Sequence, residues 1–331
     1  MKRLGGMFVT GGMLGAFVVG AVAMKAASAA EYRWLNSWDK TIPHISLLIE
    51  PYQKAVETAS KGSIKFIVSG PETVPAFEQL QPVAAGAFQF LNTHGAYHFG
   101  TSPLLAVLEA IGGTPEQRRA SGVFDLVDSY YQKLGLKIIA MPMGPDGGYQ
   151  LILRQPLTAN GDLAGRKIRG NATYANVIRM LGASTVTMPP AEIYTALDKG
   201  VIDGFAFTTN GIIGTRFYEV SKYIVRPAFG FGTLPILMNL AAWNRLPEAD
   251  KKVLLDEGRK ASDHWMLALT KLIADEEREL IAKGLTIVQM NDASKAKIKQ
   301  AWSEGLWEIA SQKAKKEVDE LRALAKSKGL D

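Results

Sequence analysis

Residues 161–211 read GDLAGRKIRG NATYANVIRM LGASTVTMPP AEIYTALDKG VIDGFAFTTN G, and this stretch decides the fold. Residues 166–169 read as a short strand. Residues 172–181 place Ala175, Ile178 and Leu181 at helical spacing and are stopped by Gly182. A second strand over 185–188 follows. Pro189-Pro190 then open a helix with Ile193, Ala196 and Leu197 on one face, and Gly200 closes it. Residues 201–207 form a third strand. The order βαβαβ is the unit that builds parallel sheets through right-handed crossovers. Arg169 stands at the carboxyl end of the first strand, just before a helix begins. Ligands of open α/β sheets bind at that position, and the helix start adds positive potential suited to an anion.

The same residues carry a family pattern. Leu163-Ala164-Gly165-Arg166-Lys167-Ile168-Arg169 resembles the D-L-K-G-L-K-I-R signature of the solute-binding proteins of tripartite ATP-independent periplasmic (TRAP) transporters. Leu181-Gly182-Ala183, Met188-Pro189, Glu192-Ile193-Tyr194-Thr195-Ala196-Leu197 and Gly200-Val201-Ile202-Asp203-Gly204 match its next blocks in order and spacing. A weaker likeness extends over residues 32–307. The resemblance implies an α/β, two-lobed periplasmic-binding-protein-like fold with a ligand cleft between the lobes and a long helix spanning both. It implies lobe I over residues 31–146 and 234–275, and lobe II over 147–233 and 276–331.

Outside this unit, residues 1–30 stand apart. Lys2-Arg3, an apolar run over residues 8–24 and Ala27-Ser28-Ala29 form a secretory signal peptide, and the Gly/Ala-rich run is short for a retained anchor. The chain has 331 residues and no cysteine, which excludes a lipid-anchored lipoprotein and any disulfide framework. The formal charge of +6 falls to +3 without the leader cations Lys2, Arg3 and Lys25, and the rest is scattered, so a nucleic-acid partner gains no support.

The first lobe alternates strands (32–37, 63–69, 87–92 and 137–141) with helices over 43–60 and 77–85 and a helix from Thr114-Pro115 to residue 133. Its helix–glycine–strand layout at residues 78–90 echoes that at 192–204, so both lobes follow one βαβ logic. Gly144-Pro145-Asp146-Gly147-Gly148 is a flexible turn where the resemblance implies the first crossing between lobes, with a return over 233–239. A helix from Pro247 to residue 283 carries Leu254, Leu255, Trp265, Leu267, Leu269, Leu272 and Ile273, enough for more than one buried face. A strand over 286–290 and a helix over 294–324, with Ser294 as its N-cap, end the chain.

Few residues can carry chemistry. Arg169 offers the paired planar donors that match a carboxylate, and the resemblance makes it the ligand clamp. Many members have a second arginine about twenty residues earlier, where this chain has Tyr149, and an asparagine three residues after the Asp-Gly pair, where it has Phe207. With Trp38, Asn36, His94, Asn210 and Phe231 in the candidate set, one cation would face aromatic walls. Such a pocket suits a monocarboxylate with an apolar, aromatic or 2-oxo body better than a dicarboxylate. His94 and His98 are spaced i, i+4, which leaves a second reading, a secreted metal-dependent hydrolase or lyase. No nucleophile motif, carboxylate pair or phosphate loop is present, so no enzyme activity, cofactor or metal is expected. The expected partners are a small organic-acid ligand and the membrane permease subunits of a TRAP transporter, and the expected location is the periplasm.

Overall fold

The computed structural model describes residues 1, 5, 6 and 30–331. The leader expected over residues 1–30 lies almost wholly outside them. The chain begins with β1 (Ala30–Asn36), α1 (Glu50–Ala59), β2 (Ile64–Ser69), α2 (Leu80–Ala84) and β3 (Phe90–Asn92). Next come α3 (Leu104–Val107), α4 (Pro115–Ser121), α5 (Val123–Lys133) and β4 (Leu136–Ala140). Thr114 and Gln117 form a reciprocal capping box at the start of α4. The single helix expected from there is broken, because Gly122 adopts a left-handed conformation at φ 85° and restarts the chain as α5.

The central stretch then supplies β5 (Tyr149–Leu153), β6 (Lys167–Gly170), α6 (Ala175–Met180), β7 (Ser184–Thr187), α7 (Ile193–Asp198), β8 (Gly204–Thr208) and β9 (Tyr223–Phe229). The chain ends with β10 (Ile236–Asn239), α8 (Leu240–Arg245), α9 (Glu248–Ala282), β11 (Thr286–Gln289) and α10 (Asp292–Ser327). Two sheets result, in the orders β2-β1-β3-β10-β4 and β11-β9-β5-β8-β6-β7. β1 pairs in parallel with β2 and β3, as β6 does with β7 and β8. Both βαβαβ units therefore have their first strand in the middle, and the echo between residues 78–90 and 192–204 is a shared topology. This is a two-lobed α/β periplasmic-binding-protein fold.

The lobes are joined by main chain laid side by side. Gly144 N donates to Gly232 O at 2.9 Å, Gly148 N to Gly230 O at 2.8 Å and Leu234 N to Pro142 O at 2.8 Å. The outgoing and returning segments thus form a narrow antiparallel ribbon. Close packing demands glycine at Gly230 and Gly232. A Cβ at Gly230, whose φ is 57°, would collide with the Trp302 indole, and one at Gly232 would collide with the Tyr149 hydroxyl.

Two long helices complete the connection. α9, about 50 Å long at the usual helical rise, starts beside α1, where Tyr52 Oη donates to Leu254 O at 3.3 Å. It finishes on the second lobe, where Arg226 pairs with Glu277. Its buried residues (Leu254, Gly258, Ser262, Trp265, Leu269, Glu276 and Leu280) make one stripe, where more than one buried face was expected. Leu267 is 74% exposed, because the helix lies along the outside of both lobes with its outer face in solvent.

α10 is capped by Asn291, whose side chain accepts from Ser294 N at 2.7 Å, so the helix begins before the expected Ser294 cap. It bends at Ala314, which leaves helical geometry with φ −147° and ψ 65°. Before the bend, Trp302 packs among Tyr149, Tyr174 and Phe229. After it, Val318, Leu321 and Ala325 join the core of Val123, Val127 and Tyr131. The part beyond the bend rests on α5.

Replacing Gly230 with alanine combines a left-handed backbone with a collision into Trp302, and is expected to lower stability by about 2–4 kcal/mol. Urea unfolding of Gly230→Ala against the parent protein measures it.

Candidate functional site

The carboxyl ends of β1 and β6, the loop after β3, the crossing ribbon and the middle of α9 converge on one cavity between the lobes. It encloses about 50 Å³ of space reachable by the centre of a water molecule. Lobe I contributes Trp38, Ile42, His44, His94 and Tyr97. Lobe II contributes Tyr149, Arg169, Tyr174, Phe207 and Asn210, and α9 supplies Trp265 and Leu269. Among the described residues, Arg169 is the only one lining the cavity with a fixed charge.

Main-chain oxygens hold Arg169 in place. It is 1% exposed, its Nε donates to Met188 O at 3.0 Å and its Nη1 donates to Ala206 O at 3.1 Å. Those carbonyls belong to the segment after β7 and to β8, the two neighbours of β6, so the βαβαβ unit itself fixes the guanidinium. Nη2 is buried and makes no hydrogen bond of good geometry among the described residues; the Tyr97 hydroxyl makes only a loose contact with the guanidinium, and none of the ion pairs there includes Arg169. An unmatched buried cationic donor is a site for an anion. The Phe207 ring lies 5.9 Å from the guanidinium carbon. Tyr97 accepts from Trp38 Nε1 at 3.1 Å, and burial pushes its phenol up, as it does those of Tyr149 and Tyr174. The aromatic walls are therefore uncharged at neutral pH.

Behind one wall lies an acid that the sequence did not single out. Glu109 is 0% exposed and sits in the turn after α3. Its carboxylate accepts from Thr233 N at 2.8 Å, Thr233 Oγ1 at 3.1 Å and the Tyr149 hydroxyl at 3.3 Å, and lies 2.9 Å from His94 Nε2. His94 Nδ1 accepts from Ala96 N at 3.1 Å, so the ring proton resides on Nε2, facing Glu109 and the Tyr149 hydroxyl. One carboxylate thereby binds the loop after β3, the first residue of β5 and the returning strand of the ribbon.

Of the expected site residues, the structure brings Arg169, Tyr149, Phe207, His94, Trp38 and Asn210 together at the cavity. Asn36 and Phe231 do not line it. Asn36 Oδ1 accepts from Trp34 Nε1 at 2.7 Å within its own strand, and the Phe231 ring stacks on the Arg118 guanidinium at 4.2 Å. His98 turns away from His94 to Thr93 Oγ1 at 2.9 Å. Among the described residues no three His, Asp or Glu side chains converge as a metal cradle, so the metal-dependent reading finds no support. His44 was missed as well. It is a lone histidine between Pro43 and an apolar run, with no spacing signal to mark it.

Two outcomes follow for the buried polar groups. Glu109→Ala removes the acceptor of several buried donors and is expected to cost about 3 kcal/mol or more in urea unfolding. Burial depresses His44 to about 3 and His98 to about 4, below the roughly 6.5 of an unfolded chain. The unfolded state then binds protons that the folded state does not. This contribution is complete above the unfolded value and is lost as pH falls toward the folded ones, by up to about 1.4 kcal/mol per pH unit for each ring. Urea unfolding at about pH 7.5 and about pH 5.5 reads this, with His98→Gln reducing the slope.

The comparisons with known proteins agree with this geometry. Over 275 residues the chain is 26% identical to a monocarboxylate 2-oxoacid-binding periplasmic protein of Nostoc sp., covering 78% of this chain and 73% of that protein. A TRAP periplasmic solute-binding protein from Desulfovibrio salexigens, solved with bound orotic acid, superimposes with a TM-score of 0.81 at 20% identity, over 90% of this chain and 98% of that one. A Bordetella bronchiseptica TRAP solute-binding protein, with copurified calcium and picolinate in its site, gives a TM-score of 0.79 at 21% identity over 91% of each chain. The profile of the bacterial extracellular solute-binding proteins, family 7, matches residues 38–313. The chain belongs to that family, the non-catalytic periplasmic solute-binding proteins of TRAP transporters.

Proposed function

We propose that this protein captures a small monocarboxylic acid with an apolar, aromatic or 2-oxo body and delivers it to the membrane permease subunits of a TRAP transporter. The observation that carries the reading is Arg169. Its Nη2 is buried and unmatched, while the other lining side chains are aromatic, aliphatic or neutral polar. A ligand carboxylate on Nη2 would complete the guanidinium's hydrogen bonding and neutralise the one charge in the cavity. A second carboxylate would meet no cation, which disfavours dicarboxylates.

In this reading Arg169 binds from lobe II, with Phe207, Tyr149 and Asn210 beside it, while Trp38 and His94 close over the ligand from lobe I. The lobes are taken as residues 31–146 with 234–275, and 147–233 with 276–331. Ligand favours the closed form by as much as it binds that form better than the open one. The names of relatives support the chemical class. One binds monocarboxylate 2-oxo acids, and two solved structures hold orotic acid and picolinate, both ring carboxylates.

Arg169→Ala is expected to lose about 3–5 kcal/mol of binding free energy, about two to three and a half decades in Kd, with Arg169→Lys intermediate. Calorimetric titration with ring carboxylates, 2-oxo acids and C4-dicarboxylates measures this. Near-parental affinity in Arg169→Ala, or binding of C4-dicarboxylates alone, would overturn the proposal.

A further inference from the structure

Two histidines line the cavity and a third, His98, lies close to His94; His94 and His98 are already committed. His94 uses Nδ1 to accept from Ala96 and Nε2 to face Glu109 and Tyr149. His98 is bonded to Thr93. His44 differs. It lines the cavity from lobe I, is 4% exposed, and its Nε2 has no hydrogen-bond partner among the described residues. The Asn92 side chain makes a loose hydrogen-bonding contact with the ring, too poor in geometry to satisfy either His44 Nε2 or its own Oδ1.

The surroundings of His44 hold the ring as a neutral wall group. The Trp38 ring meets its edge at 4.5 Å and Trp265 lies 6.4 Å away. Burial keeps the imidazole uncharged across the neutral range. His44 immediately precedes a π-helical turn (Ile45–Ile49) that leads into α1, a local irregularity that recurs at functional sites. A phenylalanine or leucine would pack between two indoles without leaving a buried nitrogen unmatched. The imidazole therefore makes sense where something in the cavity completes it.

We infer that His44 is a ligand-contacting residue, which pairs with a hydrogen-bonding group that the captured acid carries in addition to its carboxylate, a hydroxyl or a ring nitrogen. The inference rests on the reading of Arg169 as the carboxylate clamp. The cavity then has two poles, a cation from lobe II and a neutral donor–acceptor from lobe I, and a ligand that satisfies both ties the lobes together. A site built to hydrogen-bond a ligand group discriminates strongly against the analogue that lacks it, because its own buried group is left unpaired.

The test uses three ring acids of one shape: benzoate, 4-hydroxybenzoate and nicotinate, titrated calorimetrically into the parent protein, His44→Phe, His44→Gln and Arg169→Ala. The parent is expected to bind the hydroxylated or nitrogen-bearing acid about tenfold or more tighter than benzoate. His44→Phe should reduce that preference to within about threefold, and His44→Gln should restore part of it. Thermal melting of each variant checks that it folds. A preference of parental size in His44→Phe, or none in the parent, overturns the inference while leaving the clamp intact. Parental affinity for all three acids in Arg169→Ala overturns the clamp itself. A parent that binds none of the three overturns the ring-acid form of both.

Discussion

The structure depends on one buried guanidinium that the backbone holds and does not satisfy. Arg169 is fixed by carbonyl oxygens at Met188 and Ala206, and those oxygens are where they are because β7 and β8 flank β6. The sheet order of the second lobe is thus also the geometry of its charged group. A guanidinium presents planar donors in a fixed fork, where a lysine ammonium would be a point charge on a flexible stem. The remaining features of the cavity can be read as responses to that charge: phenols that stay neutral, rings that exclude water, and no competing carboxylate on the lining.

The first lobe reaches the same cavity through a different kind of bonding. Its parallel strands end there as those of the second lobe do, but its contribution is secured by Glu109, which gathers Thr233, Tyr149 and His94 onto a single carboxylate. These partners come from the returning strand, the outgoing strand and the loop after β3. The acid therefore lies where the two lobes meet, and the position of the aromatic wall depends on it. Both hydrophobic clusters draw residues from each sheet, with α9 closing one face and α10 the other.

Much of this was legible in the residues. The βαβαβ unit and the place of Arg169 at a strand end follow from apolar periodicity and glycine stops, and the return over residues 233–239 to the first sheet from the resemblance that the motif blocks carry. Tyr149 and Phe207 stood out because they replace polar groups at positions the motif defines. Other parts were hidden for physical reasons. Glu109 sits alone in a short turn, and only the fold brings its three partners to it. Asn36 and Phe231 ended strands and loops near the cleft, but local partners, the Trp34 indole and the Arg118 guanidinium, captured them first. The apolar residues of α9 overstated its burial, since a helix lying outside both lobes needs only one packed stripe and tolerates Leu267 in water.

The tethering of Arg169 by main chain has an evolutionary consequence. Side chains at Met188 and Ala206 can be exchanged without removing the oxygens that hold the guanidinium, so long as the strands remain in register. The rings around it enjoy no such protection, since each substitution there alters the shape or polarity of the cavity directly. A chain organised in this way separates an inherited anchor from walls that can drift. New ligand preferences can then arise by changing the walls one residue at a time, without rebuilding the part that holds the charge.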